Sequence, residues 1–230
     1  MEAAFSPLKN IHIGGDEATM NTWRSCVNCK KRMEEEGLTD VRELQGYLVR
    51  RIEKYVHSRG RRIIGWDEIL ETGVPKDAVI QSWRGVNGGI NASRAGHDVV
   101  MSPNTHCYFD YYQDLIRKEP AACGELVSLR FAYGYEPVTA EMDQSHILGL
   151  QANLWCEYIP TPSHAEYMLY PRLFALAETA WTPAEEKEYF GFRKRARTLL
   201  DVFRAKGYNT FDMDTESDLA RSGLQRFPSK

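Results

Sequence analysis

The sequence predicts an α/β chain built on a parallel sheet with helical crossovers. Two observations predict it. Short apolar runs alternate with longer segments of helical period along most of the 230 residues. Polar and aromatic clusters sit where those runs end, at the C-terminal ends of the expected strands, where parallel α/β barrels place their sites.

Each element has its own signal. Residues 11–14 read as a buried strand that ends in Gly14-Gly15 and two adjacent carboxylates, Asp16 and Glu17. Residues 40–58 read as an amphipathic helix: Val41, Leu44, Leu48, Ile52 and Tyr55 recur at spacings of three and four, Thr39 caps the start and Gly60 stops it. Residues 62–66 form the next strand, and a turn at 73–75 leads to a strand at 79–83. A short helix over 90–95 closes at Gly96, followed by a strand at 99–102. A strand at 147–155 and helices at 164–181 and 185–206 complete the pattern, the last stopped by Gly207. The polar segment after Asp214 reads as a loose tail, so the expected division is a domain over 1–214 and a tail over 215–230. The long connection over 103–145 holds Tyr108, Phe109, Tyr111, Tyr112, Tyr133 and Tyr135; that aromatic content predicts an ordered, site-forming segment.

Bulk properties exclude several classes. Lys plus Arg is 29 and Asp plus Glu is 32, a net charge of −3, so no basic footprint marks a nucleic-acid binder. No apolar run approaches the ~18 residues needed to span a bilayer. The start, Met1-Glu2-Ala3-Ala4-Phe5, has no basic segment followed by an apolar core, and no signal peptide is expected. Five cysteines at irregular spacing do not form a disulfide framework. Cys26-Val27-Asn28-Cys29 is a lone CxxC; a zinc site wants a second ligand pair, so two helix-start cysteines without a special role are the favoured reading, and no metal is expected.

The strand-end clusters carry the chemistry. Besides His12-Ile13-Gly14-Gly15-Asp16-Glu17 they are Gly65-Trp66-Asp67-Glu68, Gln81-Ser82-Trp83-Arg84 and Gln151-Ala152-Asn153-Leu154-Trp155-Cys156-Glu157. Three indoles and several carboxylates at strand ends suggest a sugar pocket, since flat apolar faces suit a sugar ring. A capping or salt-bridged acidic pair is the alternative for Asp16 and Glu17, and barrel core the alternative for the tryptophans. Asp67 and Glu68 read as structural or helix-start charges, Arg84 as an ion-pair partner, His12 as a residue that orients its neighbours, and His106 and His146 as ordinary loop residues.

In combination and order, HIGGDE, GWDE, QSWRG, Tyr108-Phe109-Asp110 and LQANLWCE resemble the catalytic domain of the family 20 glycoside hydrolases, the β-N-acetylhexosaminidases. The resemblance runs from His12 to about Trp181 and implies a partial (β/α) barrel, strands four to eight of eight, with the first three strands missing. It also implies exo-acting, retaining hydrolysis of terminal β-linked N-acetylglucosamine or N-acetylgalactosamine through an oxazolinium intermediate. In that scheme the substrate's own acetamido oxygen is the nucleophile. Glu17 then resembles the general acid and base, with a pKa raised by partial burial, and Asp16 the residue that orients the acetamido group. Adjacent strand residues point to opposite faces, so both acids reach one site only if the backbone leaves strand geometry there. Trp66, Trp83 and Trp155 resemble the pocket walls. Tyr108 resembles the donor to the acetamido oxygen, with Tyr111 and Tyr112 competing for that role. Asp110 and Glu157 resemble the carboxylates that bind the outer hydroxyls.

No cofactor is implied. The expected partner is a glycan with a terminal N-acetylhexosamine. The parent family works in periplasmic, secreted or lysosomal settings, which leaves the compartment of this chain open. Missing strands leave two open sheet edges. They predict little activity for the isolated chain, and self-association or a complementing barrel half. A sugar-binding or inactive remnant is the competing class. A chitinase-like enzyme stands further off, because its carboxylates alternate rather than adjoin.

Overall fold

A computed structural model describes residues 8–224; the readings of the first five residues and of 225–230 lie outside it. In chain order the elements are β1 (Asn10–His12), α1 (Asn21–Ser25), α2 (Val27–Glu36), α3 (Glu43–His57), β2 (Arg62–Trp66), β3 (Val79–Ser82), α4 (Asn87–Arg94), β4 (Val99–Met101), α5 (Asn104–Cys107), β5 (Tyr111–Tyr112), β6 (Cys123–Leu126), α6 (Leu129–Tyr133), β7 (Ile147–Leu150), α7 (Pro162–Leu169), α8 (Arg172–Trp181), α9 (Tyr189–Ala205) and α10 (Asp218–Ser222). The fold is α/β, part of a parallel barrel, with five strands in the order β1-β2-β3-β4-β7. Asn10 pairs with Arg62, Ile64 with Val79 and Ile80 with Val99, all in parallel. Two units divide the chain: the described residues up to Met101 with Val138–Leu148, and Ser102–Pro137 with the described residues from Gly149.

In the first unit β3 is central and buried along its whole length. Its polar end is satisfied internally: the Ser82 hydroxyl donates to the Gly85 carbonyl and accepts from the Gly89 N–H, each at 2.9 Å. Ile63, Ile69, Val79, Ile80 and Val99 form the surrounding core. Helix α3 buries Leu44, Gln45, Val49 and Val56, while Leu48 and Tyr55 are exposed. The apolar face expected from the periodicity is therefore rotated, because Val49 and Val56 continue the stripe begun by Leu44. Helices α1 and α2 bury no residue, so they left no apolar period to read.

In the second unit, Leu129, Tyr133, Ala175, Phe192, Ala196, Leu200 and Met213 form one core cluster. The helix expected over 164–181 is two helices, parted at Tyr170-Pro171. Pro171 has no N–H to continue the ladder and crowds the preceding turn. The strand expected over 147–155 stops at Leu150; beyond it only Asn153 pairs, with Tyr108. The connection over 103–145 is ordered, as its aromatic content predicts, with Phe109, Val127, Leu129, Tyr133 and Tyr135 buried. The expected looseness after Asp214 does not hold through Leu224. Glu216 is buried against Arg193 at 2.5 Å, and Asp114 accepts hydrogen bonds from the backbone N–H and hydroxyl of Ser217 before α10 begins.

Candidate active site

The acidic pair stands on a turn and not on a strand. β1 ends at His12, and the backbone then takes positive φ at Gly14 (72°), Gly15 (108°) and Glu17 (47°). Gly15 also has no room for a side chain, since a Cβ there would sit 2.4 Å from Ile69 Cγ2. Three hydrogen bonds fix the turn. Trp66 N–H donates to the Gly14 carbonyl (3.0 Å), Gln45 Nε2 to the Gly15 carbonyl (2.6 Å), and Gly14 N–H to His12 Nδ1 (3.1 Å). His12 thus orients its neighbours, as expected. Desolvation lowers its pKa, against the opposing pull of the Asp16 charge and a hydrogen bond with Gln81. Asp16 and Glu17 are both exposed. The partial burial expected around Glu17 is not what the described residues provide.

Trp66 ends β2, and Trp83 directly follows the end of β3, in the same unit. Trp66 is buried, its ring meeting that of His12 edge-on at 4.9 Å. Trp83 is half-buried, and its indole N–H donates to both carboxylate oxygens of Glu68, at 2.9 and 3.1 Å. Asp67 fixes the main chain beside it by accepting from the N–H groups of Trp83 and Arg84 and from the Arg84 guanidinium. Asp67 begins a 3₁₀ turn and pairs with Arg84, which agrees with the structural roles expected of both. Burial raises the pKa of Glu68, with the Trp83 hydrogen bond opposing it.

The second unit holds the other candidates. Phe109 N–H donates to the Asn153 carbonyl and Asn153 N–H to the Cys107 carbonyl, both at 2.8 Å, so Tyr108 and Asn153 lie side by side. The Tyr108 ring is 6.2 Å from that of Trp155 and 5.7 Å from that of Tyr111. Tyr108 is buried and its hydroxyl is held protonated, chiefly by desolvation, with hydrogen bonds to Trp155 and Asn153 opposing. Asp110 is 3% exposed, and its Oδ1 has no hydrogen-bond partner among the described residues. Burial pushes its pKa up to about 6; backbone hydrogen bonds and the Arg172 charge act against the rise, and the charge of Glu157 adds to it. Trp155 and Glu157 are exposed. Within its unit the structure therefore groups Tyr108, Tyr111, Asp110, Trp155 and Glu157.

Sequence reasoning missed the residue that frames this group. Arg172 is fully buried at the start of α8. Its guanidinium donates to the carbonyls of Phe109 (2.5 Å), Tyr111 (2.9 Å), Val127 (3.0 Å) and Met168 (2.7 Å), and it lies over the Phe109 ring at 4.9 Å. Burial lowers its pKa to about 9. The available signal was one arginine inside the apolar run Met168-Leu169-Tyr170-Pro171-Arg172-Leu173-Phe174. Gln45 was also missed, since it does not differ in sequence from a surface amide; Asn153 stood inside a strand-end cluster but was given no role.

Parallel strands with polar side chains gathered beyond their C-terminal ends are the arrangement of (β/α)-barrel enzymes. The chain belongs to glycosyl hydrolase family 20: residues 2–184 match that family's catalytic domain. It is 43% identical over 197 residues to a β-hexosaminidase of Porphyromonas gingivalis, covering 84% of this chain and 25% of that protein. A β-hexosaminidase of Vibrio furnissii is 41% identical over 181 residues, covering 76% and 30%. Among solved structures, the GH20 exo β-N-acetylglucosaminidase of Vibrio harveyi in complex with N-acetylglucosamine superposes with a TM-score of 0.82 at 36% identity. That match covers 91% of this chain and 34% of the other. The chain thus spans 25% to 34% of the length of these relatives.

Proposed function

We propose that this chain supplies the acidic and aromatic part of an exo-acting, retaining β-N-acetylhexosaminidase site, within a catalytic portion over 1–214 to which 215–230 is appended. The observation that carries the reading is Asp110. A buried acceptor without a partner costs about 1–3 kcal/mol, and a sugar hydroxyl donating to Oδ1 offsets that cost. The relatives named β-hexosaminidase, and the neighbour's complex with N-acetylglucosamine, support the same substrate class.

Glu17 protonates the leaving oxygen while the acetamido oxygen of the substrate attacks the anomeric carbon. Glu17 then takes a proton from the water that opens the oxazolinium ring. Asp16 accepts the acetamido N–H and offsets the growing positive charge. Tyr108, kept protonated by its surroundings, donates to the acetamido oxygen. Trp66, Trp83 and Trp155 wall the pocket and exclude water. Asp110 and Glu157 bind the outer hydroxyls. The positive φ of Gly14, Gly15 and Glu17 supports this assignment, because it frees adjacent carboxylates from the alternation of a strand.

One observation favours a second reading, sugar binding without turnover: Glu17 is exposed, whereas a proton-donating carboxyl works best when desolvated. The open edges at β1 and β7 support association with a second copy or with a complementing barrel half. The purified chain is to be titrated with N-acetylglucosamine and assayed on an aryl β-N-acetylglucosaminide. Saturable binding lost in Asp110→Asn, with weak turnover abolished by Glu17→Gln, is expected. No binding to the unaltered chain overturns the proposal; binding without turnover selects the second reading.

A further inference from the structure

We infer that Cys26 and Cys29 form a redox-active dithiol, which closes to a disulfide by exchange with a low-molecular-weight disulfide. Cys26 is the N-cap of the ten-residue α2, and the Cys29 N–H donates to its sulfur at 3.4 Å. The Cys29 thiol also donates to that sulfur, and residues i and i+3 of a helix share one face. Both residues are half-exposed. These two hydrogen bonds lower the pKa of Cys26, whereas the bond that Cys29 gives raises its own. One thiol is thus the attacking group and the other the proton-bearing partner. Burial raises the pKa of both Cys107 and Cys123, so neither shares this setting. Among the described residues, no third His, Cys, Asp or Glu joins the pair within ligand reach, which separates a dithiol from a metal centre. Because α1 and α2 bury no residue, the segment can take up the small shift that a sulfur–sulfur bond requires.

The step balances. The Cys26 thiolate attacks one sulfur of the external disulfide and displaces a thiolate, which takes a proton from solvent. Cys29 gives up its proton and attacks the Cys26 sulfur, releasing the second external thiol. Two cysteines are oxidised and one disulfide is reduced to two thiols.

The test treats the reduced full chain with oxidised glutathione near neutral pH, without detergent or denaturant. The intact mass falls by about 2 Da, and peptide mapping places the bond between positions 26 and 29. Cys29→Ser stops at a glutathione adduct on Cys26. Cys26→Ser leaves Cys29 unmodified with unchanged helical circular dichroism, because serine is a good N-cap. A stable adduct on the unaltered chain without ring closure overturns the inference. So does a Cys29→Ser chain that reacts first at the exposed Cys156.

Discussion

The Arg172 guanidinium donates to the Phe109 carbonyl and covers the Phe109 ring, so one buried cation holds both the backbone and the side chain at the root of the Tyr108–Asp110 loop. Arg172→Met removes the charge and leaves the carbonyls of Phe109, Tyr111, Val127 and Met168 short of donors. Each orphaned acceptor costs about 1–3 kcal/mol. A loss of about 3 kcal/mol or more is expected in chemical denaturation, with Arg172→Lys in between. Unchanged stability in the Met variant would contradict the clamp.

Glu68 is expected to set the orientation of Trp83 through the indole N–H. Glu68→Gln keeps one acceptor and should preserve the Trp83 emission. Glu68→Leu removes it and should shift the emission and weaken N-acetylglucosamine binding several-fold, about 1 kcal/mol. Equal spectra for the two variants would show that the bond does not orient the ring.

Gly15 combines φ of 108° with contact on Ile69. Gly15→Ala should therefore destabilise the first unit by about 1–3 kcal/mol. Ile69→Ala is itself costly because Ile69 is buried, yet the double variant should lose less than the sum of the two. Strict additivity in a thermal-melt cycle would refute the steric account.

The pKa of Asp110 is raised to about 6 from an ordinary 3.8 by burial. Its contribution to stability is thus present below pH 3.8 and is lost as pH rises through about 6. The span is on the order of 3 kcal/mol, and Asp110→Asn should abolish it. Sugar affinity should move the other way, rising through pH of about 6 as the accepting carboxylate forms. Because the charge of Arg172 opposes the rise, Arg172→Met should carry the midpoint higher. Isothermal titration across that range reads both effects.

Glu216 and Arg193 form a pair with Glu216 buried. Glu216→Ala removes the carboxylate from Arg193, which keeps its bonds to the Met213 carbonyl and the Tyr189 hydroxyl, and should cost about 3 kcal/mol in denaturant melts. A silent Glu216→Ala would return the segment after Asp214 to the status of a loose tail.

The parallel sheet was legible because β2, β3 and β4 are short apolar runs with no competing helical period. The acidic turn was legible because Gly14-Gly15 before Asp16-Glu17 signals departure from strand geometry. Of the helix pair α1 and α2 only the start of α2 at Cys26 was, since the pair buries nothing and so carries no apolar stripe. The break at Pro171 was there to be read from the proline itself, but the apolar run on both sides masked it. Arg172 was invisible for a different reason: its partners are main-chain oxygens, which leave no trace in side-chain identity. The docking of Glu216 likewise depends on a partner 23 residues earlier, at Arg193.

A grip on main-chain oxygens has an evolutionary side. Every amino acid carries a carbonyl, so the path of the loop does not depend on which side chain stands at position 111. Selection can exchange that side chain, while the frame that holds Tyr108 and Asp110 is inherited intact through Arg172.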